Sequence, residues 1–286
     1  MKKTGMAAAA FFICAGLHSF DWPQNAIQSD SFYSYFGQLR GETINTSLIF
    51  TDSEEIQAAD SGKVLALIGE HSEESDLFES TLGNAVILAH KDNLITVYAN
   101  LDRENQEARY QMKVAEAGTN LGTCGNTGWQ QGQANLEFQV IDTKNKAFIN
   151  PRILMPRVGK ELELTIQNVS AVNKKGNEYT LGINKRFPSG TYYLYRKRQE
   201  VAMPYRTTIF INGAAVENIS YDMLVQKEGK LCATGNKFYP AALLYPDANR
   251  QLLAEVSLPK GHNVISLVLT DILGKETTLT YSMDAL

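Results

Sequence analysis

Basic residues are not in excess in this chain of 286 residues: Lys and Arg number 27 against 31 Asp and Glu, a formal net charge of −4. Without a concentrated positive surface, nucleic acid is excluded as an expected partner. Cysteine is scarce, with three residues, and histidine scarcer than the length would suggest, with four. No glycine-rich phosphate loop, Ser-His-Asp set or Cys-His pair can be assembled from the sequence. Sustained helical periodicity is also missing, which argues against a helical bundle. Only one long apolar run exists, Met6 to Leu17. It is too short to span a bilayer as a mature helix, so no transmembrane segment is expected in the processed chain.

That run follows Lys2 and Lys3 and ends near Ser19, the order of a secretory signal peptide. Residues 1–19 are therefore expected to be removed on export to the periplasm or cell envelope. Acylation at Cys14 ranks second, because Ile13 puts a bulky side chain where lipoprotein processing prefers a small one. Processing would leave Cys124 and Cys232, and two unlinked buried thiols are the expectation, although an exported protein could bridge them.

What is abundant is short β-rich runs between Gly, Asn, Asp and Pro. Val64–Ile68, Ala85–Ala89 and Leu94–Tyr98 are strand-length and apolar or β-branched, and Leu136–Val140 alternates with period two. After Asn150-Pro151 comes a linker at Met155-Pro156-Arg157. Strands are again expected at Leu162–Val169, Tyr192–Arg196, Thr207–Ile211, Leu252–Leu258, Val264–Leu269 and Thr277–Tyr281. Lys175-Gly176-Asn177 and Asn212-Gly213 supply hairpin turns. Charge divides at the same place. Residues 20–156 hold 9 basic and 19 acidic side chains, and residues 157–286 hold 16 and 12. The expected fold is all-β: an antiparallel β domain over 20–155, then an immunoglobulin-like β-sandwich over 158–286.

An ordered set of fragments carries a family resemblance across residues 35 to 155. Phe36-Gly37 is followed by Ile56-Gln57-Ala58-Ala59-Asp60-Ser61-Gly62-Lys63-Val64, similar to a "V-x-A-A-x-x-G-x-V" hairpin. Gly83 to His90 and Thr96-Val97-Tyr98-Ala99-Asn100-Leu101 come next, the latter similar to "T-x-Y-x-H-L". Leu121 to Gly128 then leads through Gly132 into Ala134-Asn135-Leu136-Glu137-Phe138-Gln139-Val140, where the pattern is "G-x-T-G…G-x-H-L-H-F-x-V". Asn150-Pro151 matches the closing Asn-Pro. The set resembles the lysostaphin-type (LytM-type) zinc endopeptidases that cut peptidoglycan cross-links.

The resemblance implies a zinc held by a His, by an Asp four residues later and by the second His of "H-L-H". Two further His residues would assist water activation or oxyanion stabilisation. Position by position these are replaced. Asn45 and Ile49 stand for the first His and the Asp, Asn100 for the His after Tyr98, and Asn135 and Glu137 for the two His of "H-L-H". Glu137 alone could bind zinc but could not hold it. The remaining histidines, His71, His90 and His262, fall at no ligand position. His90 reads as a strand-end core or groove residue.

The resemblance thus implies a pseudoenzyme without cofactor. Its degenerate groove (Asn45, Ile49, Asn100, Asn135, Glu137 and Trp129) would bind peptidoglycan or a cell-wall hydrolase it regulates, since degenerate members of the group activate amidases. Two alternatives stand beside it: an active metallo-endopeptidase with an unconventional site around Glu137, and a structural or adhesive surface protein. Trp129 would sit beside the groove, either stacking on a sugar face or a partner, or packing on the neighbouring loop. The acidic stretch Glu70 to Glu79 reads as a solvated loop, with docking of a basic partner or weak Ca²⁺ binding as the functional reading. Arg196-Lys197-Arg198 reads as a solvated strand end in preference to an anionic-polymer site.

Overall fold

A computed structural model describes residues 20–52, 54–69, 80–104, 106–129 and 135–286. The expected signal segment, Cys14, His71 and the acidic stretch lie outside the described residues. The fold is all-β and, with one exception, antiparallel: Arg186–Phe187 runs parallel to Glu276–Ala285.

In the first half a sheet runs from Ala147–Ile149 through Glu137–Asp142, Leu94–Leu101 and Asn84–Ala89 to Gly62–Ile68. A short branch, Leu48–Phe50 with Phe32–Ser34 beyond it, pairs onto the start of the Glu137 strand. Alternation along these strands drives the packing. Tyr98 and Phe138 face each other across the ladder and are fully buried with ring centroids 5.2 Å apart, while their neighbours Ala99 and Glu137 face the other way.

The second half is a β-sandwich. One layer is Glu178–Thr180, Ser170–Asn173, Gly190–Lys197 and Arg250–Leu258. The other holds Glu276–Ala285, Gly261–Thr270, Arg206–Ile211 and Ala214–Lys227. Ala171, Leu194 and Val256 from the first layer meet Ile209, Ile265 and Leu267 from the second in one buried core. The Asn212-Gly213 turn has φ values of 51° and 84° and closes a tight hairpin, and Gly176 at φ 85° closes the other expected turn. One expectation is corrected. Leu162–Val169 forms no strand; pairing starts at Ser170. There Arg152 pairs with Glu161, the Gln199 side chain bonds the Glu163 and Thr165 backbone, and Lys197 N donates to Gln167 O at 2.9 Å, so the segment is held by side chains and single backbone bonds instead of a ladder. Short helices also occur, at Gln106–Gln111 and Ala241–Leu244.

The halves share their sheet. Ala147, Phe148 and Ile149 pair with Val225, Leu224 and Met223, so the first-half sheet continues into the sandwich. One buried cluster contains Phe36, Phe50 and Leu136 together with Tyr195, Tyr221, Leu224 and Tyr245. The Tyr245 hydroxyl donates to Gly37 O at 2.6 Å, and the Trp22 indole donates to Pro156 O at 3.0 Å. Cys124 and Cys232 are buried and free. Among the described residues no helix is long and apolar enough to cross a membrane.

Candidate functional site

Glu137 opens its strand beside Ile49 on one side and Ala99 on the other. Its side chain is 3% exposed. A carboxylate in that position needs charge compensation, and Arg40 supplies it with Nη1 2.6 Å from Oε1 and Nη2 3.1 Å from Oε2. This fork-on-carboxylate geometry is the strongest form of ion pair that side chains make. The Ser47 hydroxyl lies 2.8 Å from Glu137 Oε1 and 2.7 Å from Asn45 Oδ1, so its single proton is shared between two acceptors. Gln139 Nε2 adds a contact to Oε1 at 3.3 Å.

Asn45 is buried and spends both ends of its amide on the protein. Nδ2 faces Ser47 O at 2.9 Å and Tyr35 O at 3.0 Å, and Oδ1 accepts from Ser47 N at 3.2 Å. It therefore stitches the 34–47 loop together. Asn100 has the same kind of duty elsewhere. It sits at φ 64°, a left-handed conformation that Asn tolerates better than most residues. Its Oδ1 accepts from Thr127 N at 3.0 Å and Gly128 N at 2.8 Å, and Nδ2 donates to Asn135 O at 2.8 Å. The Asn135 carbonyl is thus tied to the loop that carries Trp129. Tyr98, two residues before Asn100, is fully buried. Its hydroxyl accepts from Ala59 N at 2.8 Å, and burial pushes the phenol up to about 12, away from proton transfer near neutral pH.

These residues do not fit the zinc that their positions suggest. Ile49 has no donor atom, and the Asn45 amide is a neutral group already consumed by backbone. The one acid faces a guanidinium, and a metal ion approaching Glu137 would have to displace a like charge. Among the described residues no group of three His, Cys, Asp or Glu side chains could hold an ion. His90 lies elsewhere. Nδ1 is 3.0 Å from Ser61 O and Nε2 is 2.7 Å from Thr96 Oγ1, with Phe20 edge-on at 5.1 Å. It holds a strand end.

A cleft of about 540 Å³ opens above the Glu137 cluster. Ile49, Arg40 and Trp129 line it, whereas Asn45, Asn100, Asn135 and Glu137 are buried and do not. Trp129 is 69% exposed and forms part of the cleft wall. Sequence reasoning missed the other walls. Tyr33, on the outer strand Phe32–Ser34, is exposed, and the opposite wall comes from the second half through Leu162, Arg198, Glu200 and Val201. Gln38 Nε2 donates to Glu200 O at 2.8 Å and fixes that wall to the first half.

A profile of peptidase family M23 matches residues 45–151, from Asn45 to the Asn150-Pro151 pair. Residues 45–151 are a domain of peptidase family M23, the LytM-type family. A second profile matches residues 163–285. An uncharacterized protein of Treponema pallidum (strain Nichols) is 31% identical over 122 residues, which are 40% of this chain and 80% of that protein. The cell division protein DipM of Caulobacter vibrioides is 38% identical over 80 residues, 27% of this chain and 13% of DipM.

Arg40 is the residue of this cluster that sequence reasoning overlooked. The signal was available: an acid at a position that the resemblance assigns to a metal ligand needs a nearby cation, and Arg40 lies five residues before Asn45 in a Gly41-turned hairpin.

Proposed function

We propose that this is a non-catalytic cell-envelope protein, exported after loss of residues 1–19, whose M23 groove serves as a binding surface for peptidoglycan. In this reading residues 20–155 form the peptidase-like domain, and the sandwich over 158–286 supplies the second wall of the cleft. One observation carries it: Arg40, Glu137 and Ser47 form a closed polar network around a position that the resemblance assigns to a metal ligand, and the adjoining cleft is lined with the exposed rings of Tyr33 and Trp129. Tyr33 and Trp129 offer faces on which sugar rings stack, and Arg40, Arg198, Asp30 and Glu200 offer both signs of charge to a zwitterionic stem peptide. The likeness to a protein named for cell division favours a second reading, in which the cleft holds a wall hydrolase and regulates it.

Retention of the purified chain on insoluble peptidoglycan tests the first reading. Trp129→Ala combined with Tyr33→Ala should lower retention roughly tenfold or more, as loss of central aromatic anchors does. Unchanged retention would place binding elsewhere. Zinc at one equivalent together with release of cross-link peptides would overturn the non-catalytic reading outright. No retention by the wild-type chain, with capture of a hydrolase from envelope extract that the double variant loses, would select the second reading.

A further inference from the structure

Why Glu137 is present at all is unexplained by loss of catalysis. An enzyme that merely decays could leave an apolar or amide side chain at that position, as it has at Ile49 and Asn45. Instead a carboxylate is kept 3% exposed, and a neighbouring hairpin is shaped to deliver a guanidinium to it. The hairpin pairs Leu39 with Ile44 and Arg40 with Thr43, and turns through Gly41 at φ 60°. Its approach is anchored from both sides. Gly37 N donates to Asn45 O at 2.8 Å, Asn45 N donates to Gln38 O at 2.7 Å, and Gln38 Oε1 accepts from Tyr35 N at 3.0 Å. Arg40 is thereby presented, not merely nearby.

We infer that the Arg40 guanidinium is a resident cation that replaces the family's metal as the organiser of the groove floor. In the metal-dependent arrangement that the resemblance implies, a dication draws three protein ligands together from two segments, 45–49 and the strand of Glu137. Here the same two segments meet through one positive group, delivered by a third segment, the Arg40 hairpin. Arg40 bonds Glu137 with two nitrogens, Ser47 bonds Glu137 and Asn45, and Asn45 bonds the loop that leads to Arg40. The substitution changes the chemistry and keeps the architecture. A guanidinium stays protonated at every accessible pH and has no vacant orbital for water, so it cannot generate a hydroxide nucleophile. It also makes the floor independent of metal supply. The inference rests on reading Glu137 as a former ligand position, and it extends the proposed function by stating how a groove that has lost its metal stays folded.

The experiment is a thermal-unfolding series on the full mature chain with a zinc arm and an EDTA arm. The wild type should melt at the same temperature in both, within about 1 °C. Arg40→Ala should lower the midpoint by about 5 °C or more for a chain of this size. Adding Glu137→Gln to Arg40→Ala should recover more than half of that loss, because a buried amide no longer demands a cation. Arg40→Lys should recover only part, since an ammonium cannot form the two parallel bonds. If Arg40→Ala fails to fold, recovery of folding in the double variant supports the inference equally, and a double variant that also fails to fold overturns it. A midpoint raised by zinc in the wild type, or single-variant losses that simply add in the double variant, would overturn the inference. Wall digestion without zinc binding would overturn the proposed function and leave this inference standing.

Discussion

Gly83→Ala should destabilise the protein by about 3 kcal/mol or more and abolish binding at the cleft. Gly83 has φ 65°, and a Cβ there would lie 2.3 Å from Gly128 N and from the Thr127 carbonyl carbon. Both are backbone atoms, and neither is free to retreat. Asn100 Oδ1 holds the Thr127 and Gly128 amides, the Thr127 hydroxyl donates to Leu101 O at 2.7 Å, and Trp129 N donates to Thr81 O at 3.0 Å. Alanine at this φ adds about 1–2 kcal/mol of its own. Relief would require lifting the 125–129 loop off the 80–84 turn, which would carry Trp129 out of the cleft. Gly118→Ala is the control. That glycine has φ 78° with no atom within 4 Å of a new Cβ, so it should lose only the backbone cost. Urea unfolding separates the two. Equal losses would show that the close approach at Gly83 is unimportant.

Arg196→Ala should cost about 3–5 kcal/mol, more than Arg196→Met. The side chain is 1% exposed, a correction to its reading as part of a solvated strand end. Lys197 at the strand end is exposed, whereas Leu194, Tyr195 and Arg196 before it are all buried, past a register shift between Leu194 and Tyr195. Its Nε and Nη2 donate to Gln251 Oε1 at 3.2 and 2.8 Å, and Nη1 donates to Thr165 O at 2.6 Å. Gln251 in turn donates to the Tyr221 hydroxyl at 3.1 Å. Burial pulls the guanidinium's pKa below its ordinary value, opposed by the nearby Tyr221 and Tyr245 hydroxyls. Truncation to Ala would leave a cavity and unpaired Gln251 and Thr165 acceptors. Methionine fills most of the volume and brings no charge to bury, so it should recover part of the loss. An Ala variant no weaker than the Met variant would contradict a role for that cavity. The measurement is again the urea midpoint, with the slope checked for constancy.

Strand content was legible in proportion to how regular each strand is. Gly261–Thr270 and Arg250–Leu258 are dense in Val, Leu and Ile, and their centres are evident from composition alone. The longest strand, Ala214–Lys227, escaped notice because register shifts interrupt its period. One falls opposite Ile209–Phe210 and another between Ser220 and Leu224, so its buried positions do not follow a single alternation. The family was readable from motif order. Of the six residues marked for the groove, only Ile49 and Trp129 line the cleft. Asn45 and Asn100 hold loops in place, a role that depends on backbone amides no side-chain motif encodes. The missing wall, from Leu162 to Val201, follows the motifs in the chain and belongs to the other half of the molecule. No local pattern signals such a juxtaposition.

The three-residue seam at Ala147–Ile149 governs how this protein can be dissected. A fragment ending near residue 156 would lose the Leu224 strand, baring an unsatisfied row of amides and carbonyls beside Phe148 and Ile149. Exposed edges of that kind recruit other chains and precipitate. The converse fragment would bare Tyr221 and Leu224. Each half thus acts as the other's solubiliser, and any binding surface has to be mapped by point substitution within the intact polypeptide.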